Sequence, residues 1–103
     1  MSAIDPSPSS AILRPLGSGL EDVADHELML RVAEHGDDAA LAEIVERFSP
    51  RVRGYLRHIL GSDGWVDDVA QEVFVRVYEQ ASRYDNSFPL IVWLMRIARN
   101  LAI

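Results

Sequence analysis

The most regular pattern of apolar and polar residues lies in the stretch Asp67–Glu79 and the residues that lead into it. Small apolar residues recur there at spacings of three and four, as on one side of an α-helix: Val66, Val69, Ala70, Val73 and Val77. The other side, here called the acidic face, carries Asp68, Gln71, Glu72, Val75 and Glu79. A core explains the apolar stripe. The acidic face is either a solvated surface or a site for a partner, since folding alone does not require an exposed valine there.

The same period predicts two helices before this one. The first runs from about Asp25 to His35, with Asp25 as its N-cap and Gly36 as its stop signal. The second begins at Asp37 or Asp38. Its inner apolar stripe continues to Gly61 and starts with Leu41, Ile44, Val45 and Phe48. Pro50 interrupts it, so either Ser49 caps a new helix with Pro50 in its first turn, or one helix kinks there. Trp65 is expected to pack at the start of the third helix.

A fourth helix follows a loop from Ala81 to Ser87. Ser87 is its predicted N-cap, with Pro89 in the first turn, and the helix runs to the end of the chain. Its inner stripe is Leu90, Leu94, Ile97, Ala98 and Leu101. The sequence therefore predicts an all-α fold, a compact bundle of about four helices over residues 25–103. Residues 1–24 contain breakers and no period, which predicts a flexible N-terminal tail.

Composition removes several classes of function. The 103 residues form one domain at most and include no cysteine, which excludes disulfides and thiol catalysis and fits a cytoplasmic protein. No signal peptide or membrane-spanning run is visible, so no membrane partner is expected. His26, His35 and His58 have no partner at metal-ligand spacing, and no catalytic motif occurs. We expect no enzyme activity, no cofactor and no metal.

The net charge of −6 hides an asymmetry. Residues 1–46 hold ten acids and two arginines, whereas residues 47–103 hold six acids and eight arginines. All ten basic residues are arginine, which suits planar contacts to phosphate and bases, although genome composition could give the same bias. Four of them decorate the second helix, where a solvated face also explains them: Arg47, Arg51, Arg53 and Arg57.

The loop and fourth helix combine arginine with aromatic residues. Arg96, Arg99 and Asn100 lie together on one side of the helix, where they can reach phosphates and base edges. Aromatic side chains are interleaved with arginines, as suits single-stranded DNA: Tyr84, Phe88 and Trp93 with Arg83, Arg96 and Arg99. The alternative is that all three aromatics belong to the core.

Two segments resemble one family. The segment Asp68-Val69-Ala70-Gln71-Glu72-Val73-Phe74 resembles the Asp-x-x-Gln-Glu-x-Phe signature of bacterial sigma factors. The segment from Trp93 to Asn100 resembles the Trp-Leu-x-x-Ile-Ala-Arg-Asn signature that follows it, in the right order and spacing. The chain is similar to the extracytoplasmic-function (ECF) class in its second conserved region, over about residues 25–103.

The resemblance implies two sites. In the family this helical domain binds the coiled coil of the largest RNA polymerase subunit, and the matching positions are Asp68, Gln71, Glu72, Phe74 and Val75. The next loop and helix recognise and melt the promoter minus-ten element through its non-template strand. The matching positions are Tyr84, Asp85, Asn86, Ser87 and Phe88 in the loop, and Arg96, Arg99 and Asn100 on the helix.

Some features depart from the family pattern. Leu90 stands where a phenylalanine is usual, and the helix-turn-helix of region 4, which reads the minus-thirty-five element, is absent. The sequence thus predicts a domain fragment or truncated form of an initiation factor. The alternative function is a helical protein-interaction module, bound by an anti-sigma factor without direct DNA binding.

Overall fold

The computed structural model describes residues 19–103 and contains four α-helices in that range. They are α1 (Asp25–His35), α2 (Asp38–Leu60), α3 (Val66–Glu79) and α4 (Leu90–Ala102). A short 3-10 turn, Ala81–Arg83, lies between α3 and α4. The described residues form no strand, which confirms the predicted all-α bundle of about four helices.

The long helix α2 is the centre of the bundle. It packs against α1, α3 and α4, and α3 also packs against α4. Their inner sides meet in one apolar core, whose largest fully buried members are Leu28, Met29, Ile44, Leu56, Leu90, Leu94, Val52, Val73 and Val77. The predicted stripe of α3 is buried except for Val69, which is half-buried.

Local signals end and begin the helices largely as predicted. Gly36 ends α1 and Gly61 ends α2, both in the left-handed backbone region that glycine adopts readily. The Asp37 carboxylate caps α2 by accepting a hydrogen bond from the Ala40 backbone N–H at 3.1 Å. The prediction that Asp25 caps α1 is wrong. Ala24 is the N-cap residue, and the Asp25 carboxylate accepts a hydrogen bond from Arg47 instead.

The structure decides between the two alternatives at Pro50. α2 continues through this residue as one helix. Pro50 is exposed, while Phe48 and Val52 on either side are buried in the same core. Continuous burial holds the helix together despite the hydrogen bond that proline cannot donate.

Two predictions about helix starts are wrong, one about the cap of α4 and one about the packing of Trp65. Ser87 does not cap α4, because its backbone N–H and hydroxyl donate to the Asp85 carboxylate and the helix begins later, after extended Pro89. Trp65 is the N-cap residue of α3, but its side chain is 65% exposed and does not pack into the core. The contact of Ser87 with Asp85 and the exposure of Trp65 cannot be predicted from helical periodicity.

Part of the predicted N-terminal tail can be described. Residues 1–18 lie outside the described residues. The carbonyl oxygens of Leu20 and Glu21 accept hydrogen bonds from Arg47 Nη2 at 2.7 and 3.1 Å, so residues just before α1 are held against α2. None of the helices between residues 19 and 103 is long and apolar enough to cross a membrane.

Candidate functional site

The acidic face of α3 points to solvent along its whole length. Asp68, Gln71, Glu72, Val75 and Glu79 are all exposed, with Val75 at 45%. Glu72 accepts a hydrogen bond from Arg76 Nε at 3.2 Å, an exposed pair one helical turn apart that adds little to stability. Asp68 has no ion-pair partner among the described residues. The face therefore keeps negative charge available to a partner.

An apolar groove adjoins the acidic face, between α2 and α3. This α2–α3 groove has an open volume of about 570 Å³ and is lined by Asp38, Leu41, Val45, Gln71, Phe74, Val75 and Tyr78. Phe74 is only 8% exposed, so its ring is mainly a core group whose edge reaches the groove. Gln71 and Val75 belong to both the groove and the acidic face.

The groove brings together three of the five residues that the sequence matched to polymerase binding. Gln71, Phe74 and Val75 line it, whereas Asp68 and Glu72 do not. The contribution of α2 was missed, because Leu41 and Val45 were assigned to the inner stripe of that helix. Tyr78 was also missed, although its spacing from Gln71 and Val75 places it on the same side of α3.

The position of Tyr78 is coupled to the turn between α1 and α2. A Cβ atom on Gly36 would lie 3.1 Å from the Tyr78 hydroxyl, so any other residue at this position would require the ring to shift by a few tenths of an ångström. Tyr78 remains 47% exposed and forms the end of the groove. The left-handed turn at Gly36 thus supports one wall of the candidate site.

Hydrogen bonds order the loop after α3. The Tyr84 hydroxyl donates to the Phe88 carbonyl oxygen at 3.0 Å, and the Asp85 carboxylate accepts from the Ser87 backbone N–H at 2.8 Å. The hydrogen bonds from the Ser87 hydroxyl and backbone lower the pKa of Asp85, so its charge is favoured. Burial, helped by the negative charges of Asp25 and Asp85, raises the pKa of Tyr84 and keeps its phenol neutral.

Aromatic and arginine side chains connect the loop to α4. The rings of Tyr84 and Trp93 are tilted against each other with centroids 5.4 Å apart, and both are half-buried. The Arg96 guanidinium carbon lies 5.5 Å from the centre of the Phe88 ring. The rings of Tyr84, Phe88 and Trp93 are each partly buried and partly exposed, so their exposed surfaces are available for stacking.

The structure brings together some of the predicted DNA-binding residues and leaves others apart. Tyr84, Phe88 and Arg96 form a connected series of contacts from the loop to α4. Arg99 and Asn100 are exposed near the end of α4, three and four residues beyond Arg96 and on the same side of the helix. Asn86 is also exposed, and it lines a cavity between the loop and α1 together with Tyr84, Asp85 and Leu30.

No metal centre is formed within residues 19–103, where no three histidine, aspartate or glutamate side chains cluster. Hydrogen-bond donors and flat rings lie on the α4 side, and carboxylates beside an apolar groove lie on the α3 side.

Comparison with known proteins identifies the family. The sigma-70 region 2 family matches residues 44–103, which include α3, the loop and α4. The chain belongs to the sigma-70 region 2 family. The matched range contains every residue that the sequence assigned to the two sites, although α1 and the start of α2 lie before it.

Curated relatives place this region 2 chain in the ECF class. It is 34% identical over 77 residues to the ECF RNA polymerase sigma factor RpoE of Cereibacter sphaeroides, covering 74% of this chain and 42% of that protein. It is 32% identical over 74 residues to the ECF RNA polymerase sigma factor SigW of Bacillus subtilis, covering 72% of this chain and 40% of that protein. SigK of Mycobacterium tuberculosis, also an ECF RNA polymerase sigma factor, is 32% identical over 77 residues, or 74% of this chain and 41% of that protein.

The chain spans about two fifths of the length of these relatives. No solved structure gives a significant match.

Proposed function

We propose that this chain acts in transcription initiation, as the sigma-factor domain that binds core RNA polymerase and recognises and melts the promoter minus-ten element. The observation that carries the proposal is the position of two different surfaces on one helical body. One is acidic and apolar on α3; the other is aromatic and arginine-bearing on the loop and α4. A sigma factor needs both, and the names of the relatives, which are sigma factors and not enzymes, support the assignment.

The polymerase surface combines the acidic face with the α2–α3 groove. The apolar groove can take side chains of a partner helix, while Asp68, Gln71 and Glu72 can pair with its basic and polar groups. Phe74 and Val75 supply the apolar contact between the two. The proposed partner is the coiled coil of the largest polymerase subunit.

The DNA surface runs from the loop to the end of α4. Tyr84 and Phe88 are proposed to stack on unstacked bases, with Asp85, Asn86 and Ser87 shaping the loop around them. Arg96 and Arg99 would contact phosphates, and Asn100 a base edge. Extruding a base costs a few kcal/mol, and stacking on an aromatic side chain contributes about 1–3 kcal/mol per base. Stacking and the polar contacts of the loop and α4 together would offset the cost of extruding one base.

Substitutions on the acidic face test the polymerase surface. Gln71→Ala and Glu72→Arg are each expected to weaken binding to core RNA polymerase about tenfold, because both residues are exposed and the second change reverses a charge that faces the basic partner. Affinity is measured by titrating labelled full-length chain with core polymerase, and circular dichroism checks the fold.

The matched control is Glu46→Arg, which makes the same charge change at an exposed position of α2 that does not line the groove. It should bind like the unchanged chain. Normal binding by both acidic-face variants would show that the surface is wrongly assigned.

The second candidate function is a module that is bound by an anti-sigma factor and never contacts DNA. The net charge of −6 favours it, since the electrostatic attraction to DNA phosphates is then weak. The two functions differ in one respect: only the first requires a promoter strand to bind when polymerase and this chain are both present.

A further inference from the structure

Trp65 is an exposed tryptophan that the fold does not use. It lies at the N-cap of α3 and is 65% exposed, more than Val75 or Tyr78. Exposing so large an apolar side chain forgoes the stabilisation that burial gives. Its contacts within the described chain therefore do not explain the choice of residue at this position.

Trp65 continues the acidic face by one helical turn. The residues Trp65, Asp68, Glu72, Val75 and Glu79 follow one another at spacings of three, four, three and four, which place them on one side of α3. This is also the spacing at which one helix contacts another along its length. With a rise of 1.5 Å per residue, Trp65 and Val75 are roughly 15 Å apart along the axis.

The charges between the two apolar positions are negative. Asp68 and Glu72 are exposed between Trp65 and Val75. Within residues 19–103, Glu72 pairs with Arg76 and Asp68 has no ion-pair partner. A partner lying along this side must place apolar groups against Trp65 and Val75 and basic groups between them. A basic amphipathic helix about three turns long meets this requirement.

We infer that Trp65 is an aromatic anchor that extends the polymerase surface by one helical turn beyond Asp68, where it packs against the basic partner helix of the proposed function. The inference rests on the proposed function. Tryptophan is enriched among the residues that dominate binding energy at interfaces, particularly where neighbouring polar groups exclude water from it. The acidic side chains beside Trp65 provide such neighbours and fix the charge of the partner.

The test measures the affinity of full-length variants for core polymerase. Trp65→Ala should weaken binding about tenfold or more, while Trp65→Phe keeps part of the affinity because a smaller ring remains. The control is Val92→Ala, which removes an apolar side chain that is 42% exposed on α4, and it should bind within twofold of the unchanged chain. Far-ultraviolet circular dichroism and thermal unfolding should not change for any of the three variants.

A pair of charged variants tests the chemistry of the partner. Trp65→Arg should bind several-fold more weakly than Trp65→Glu, because the arginine faces basic groups and the glutamate adds to the acidic face. Equal affinities, or weaker binding by the glutamate variant, would overturn the basic helix as the partner.

Gln71→Ala, measured alongside, separates the inference from the proposed function. If Gln71→Ala weakens binding and Trp65→Ala does not, the anchor is wrong while the polymerase surface stands. If neither variant weakens binding, the proposed function fails and the anchor with it. If only Trp65→Ala weakens binding, Trp65 does not belong to the same binding surface as Gln71, and the inference is overturned.

Discussion

Among single residues, Arg47 shows how one side chain can hold several parts of the chain together. Its Nε donates to Glu43 at 2.9 Å, Nη1 to Asp25 at 2.8 Å, and Nη2 to the carbonyl oxygens of Leu20 and Glu21. Burial alone would lower the pKa of Arg47, but the hydrogen bonds and charges of Glu43 and Asp25 outweigh it and raise the pKa. The guanidinium is therefore always charged.

Removing this side chain should destabilise the protein strongly. Glu43 is 5% exposed, so Arg47→Ala takes the guanidinium away from a buried carboxylate, which typically costs about 3 kcal/mol. Arg47→Lys should not restore stability, since one ammonium cannot reproduce three differently directed donors. Urea unfolding followed by circular dichroism measures both.

Arg57→Ala is the matched control for Arg47. Arg57 pairs with Asp63 on the surface at 2.8 Å, and such exposed pairs contribute at most about 1 kcal/mol. Equal losses of stability for Arg47→Ala and Arg57→Ala would show that the contacts of Arg47 do not hold α1 and α2 together.

Among the elements, three glycines, two at helix ends and one inside a helix, differ in what their positions require. Gly36 has a φ of 56° at the end of α1, and a Cβ there would press on Tyr78. Gly61 has a φ of 72° at the end of α2, where a Cβ would meet nothing within 4 Å. Gly54 lies inside α2, also with open space around it and without a positive φ.

Alanine substitutions at these sites should change stability in opposite directions. Gly54→Ala should stabilise the protein by about 0.5–1 kcal/mol, because alanine loses less conformational freedom in a helix. Gly61→Ala should destabilise it by about 1 kcal/mol through backbone strain, and Gly36→Ala by more, because Tyr78 must also move. Thermal unfolding gives the order, and a Gly36→Ala protein as stable as Gly61→Ala would contradict the role given to Tyr78.

The helices could be predicted from the sequence because their signals are local. The period of apolar residues, the glycines at the helix ends and Asp37 each act within a few residues. The two wrong N-cap predictions concern residues that form hydrogen bonds elsewhere. Asp25 accepts a hydrogen bond from Arg47, which lies 22 residues away, and Ser87 donates to Asp85 in the loop. The continuity of α2 through Pro50 also depends on a core that only the folded chain creates.

The candidate site, like the fold, was predictable only where it depends on local sequence signals. Periodicity placed the acidic face on the outside of α3, and the structure confirms its exposure. The α2 wall of the groove was not predictable, because it depends on how α2 packs against α3. The exposure of Trp65 was missed for a similar reason: it was expected to pack at the start of α3, and no local signal marks it as a surface residue.

Across the whole molecule, the two candidate surfaces lie on consecutive elements that share one core. α3 and α4 pack against each other and against α2, so polymerase bound to α3 would hold the loop and α4 at a fixed distance from its own surface. The chain carries a net charge of −6, and the proposed DNA surface alone offers few cations. We therefore expect weak binding to free DNA and much tighter binding once polymerase is present.

The most direct measurement is a titration with a labelled single-stranded oligonucleotide that carries the minus-ten element, followed by fluorescence anisotropy. The proposed function predicts a rise in anisotropy only when core polymerase and this chain are both present, a several-fold weaker rise with Asn100→Ala, and little rise with a scrambled oligonucleotide. No rise in the mixture of all three components, or an equal rise with the scrambled strand, would contradict it.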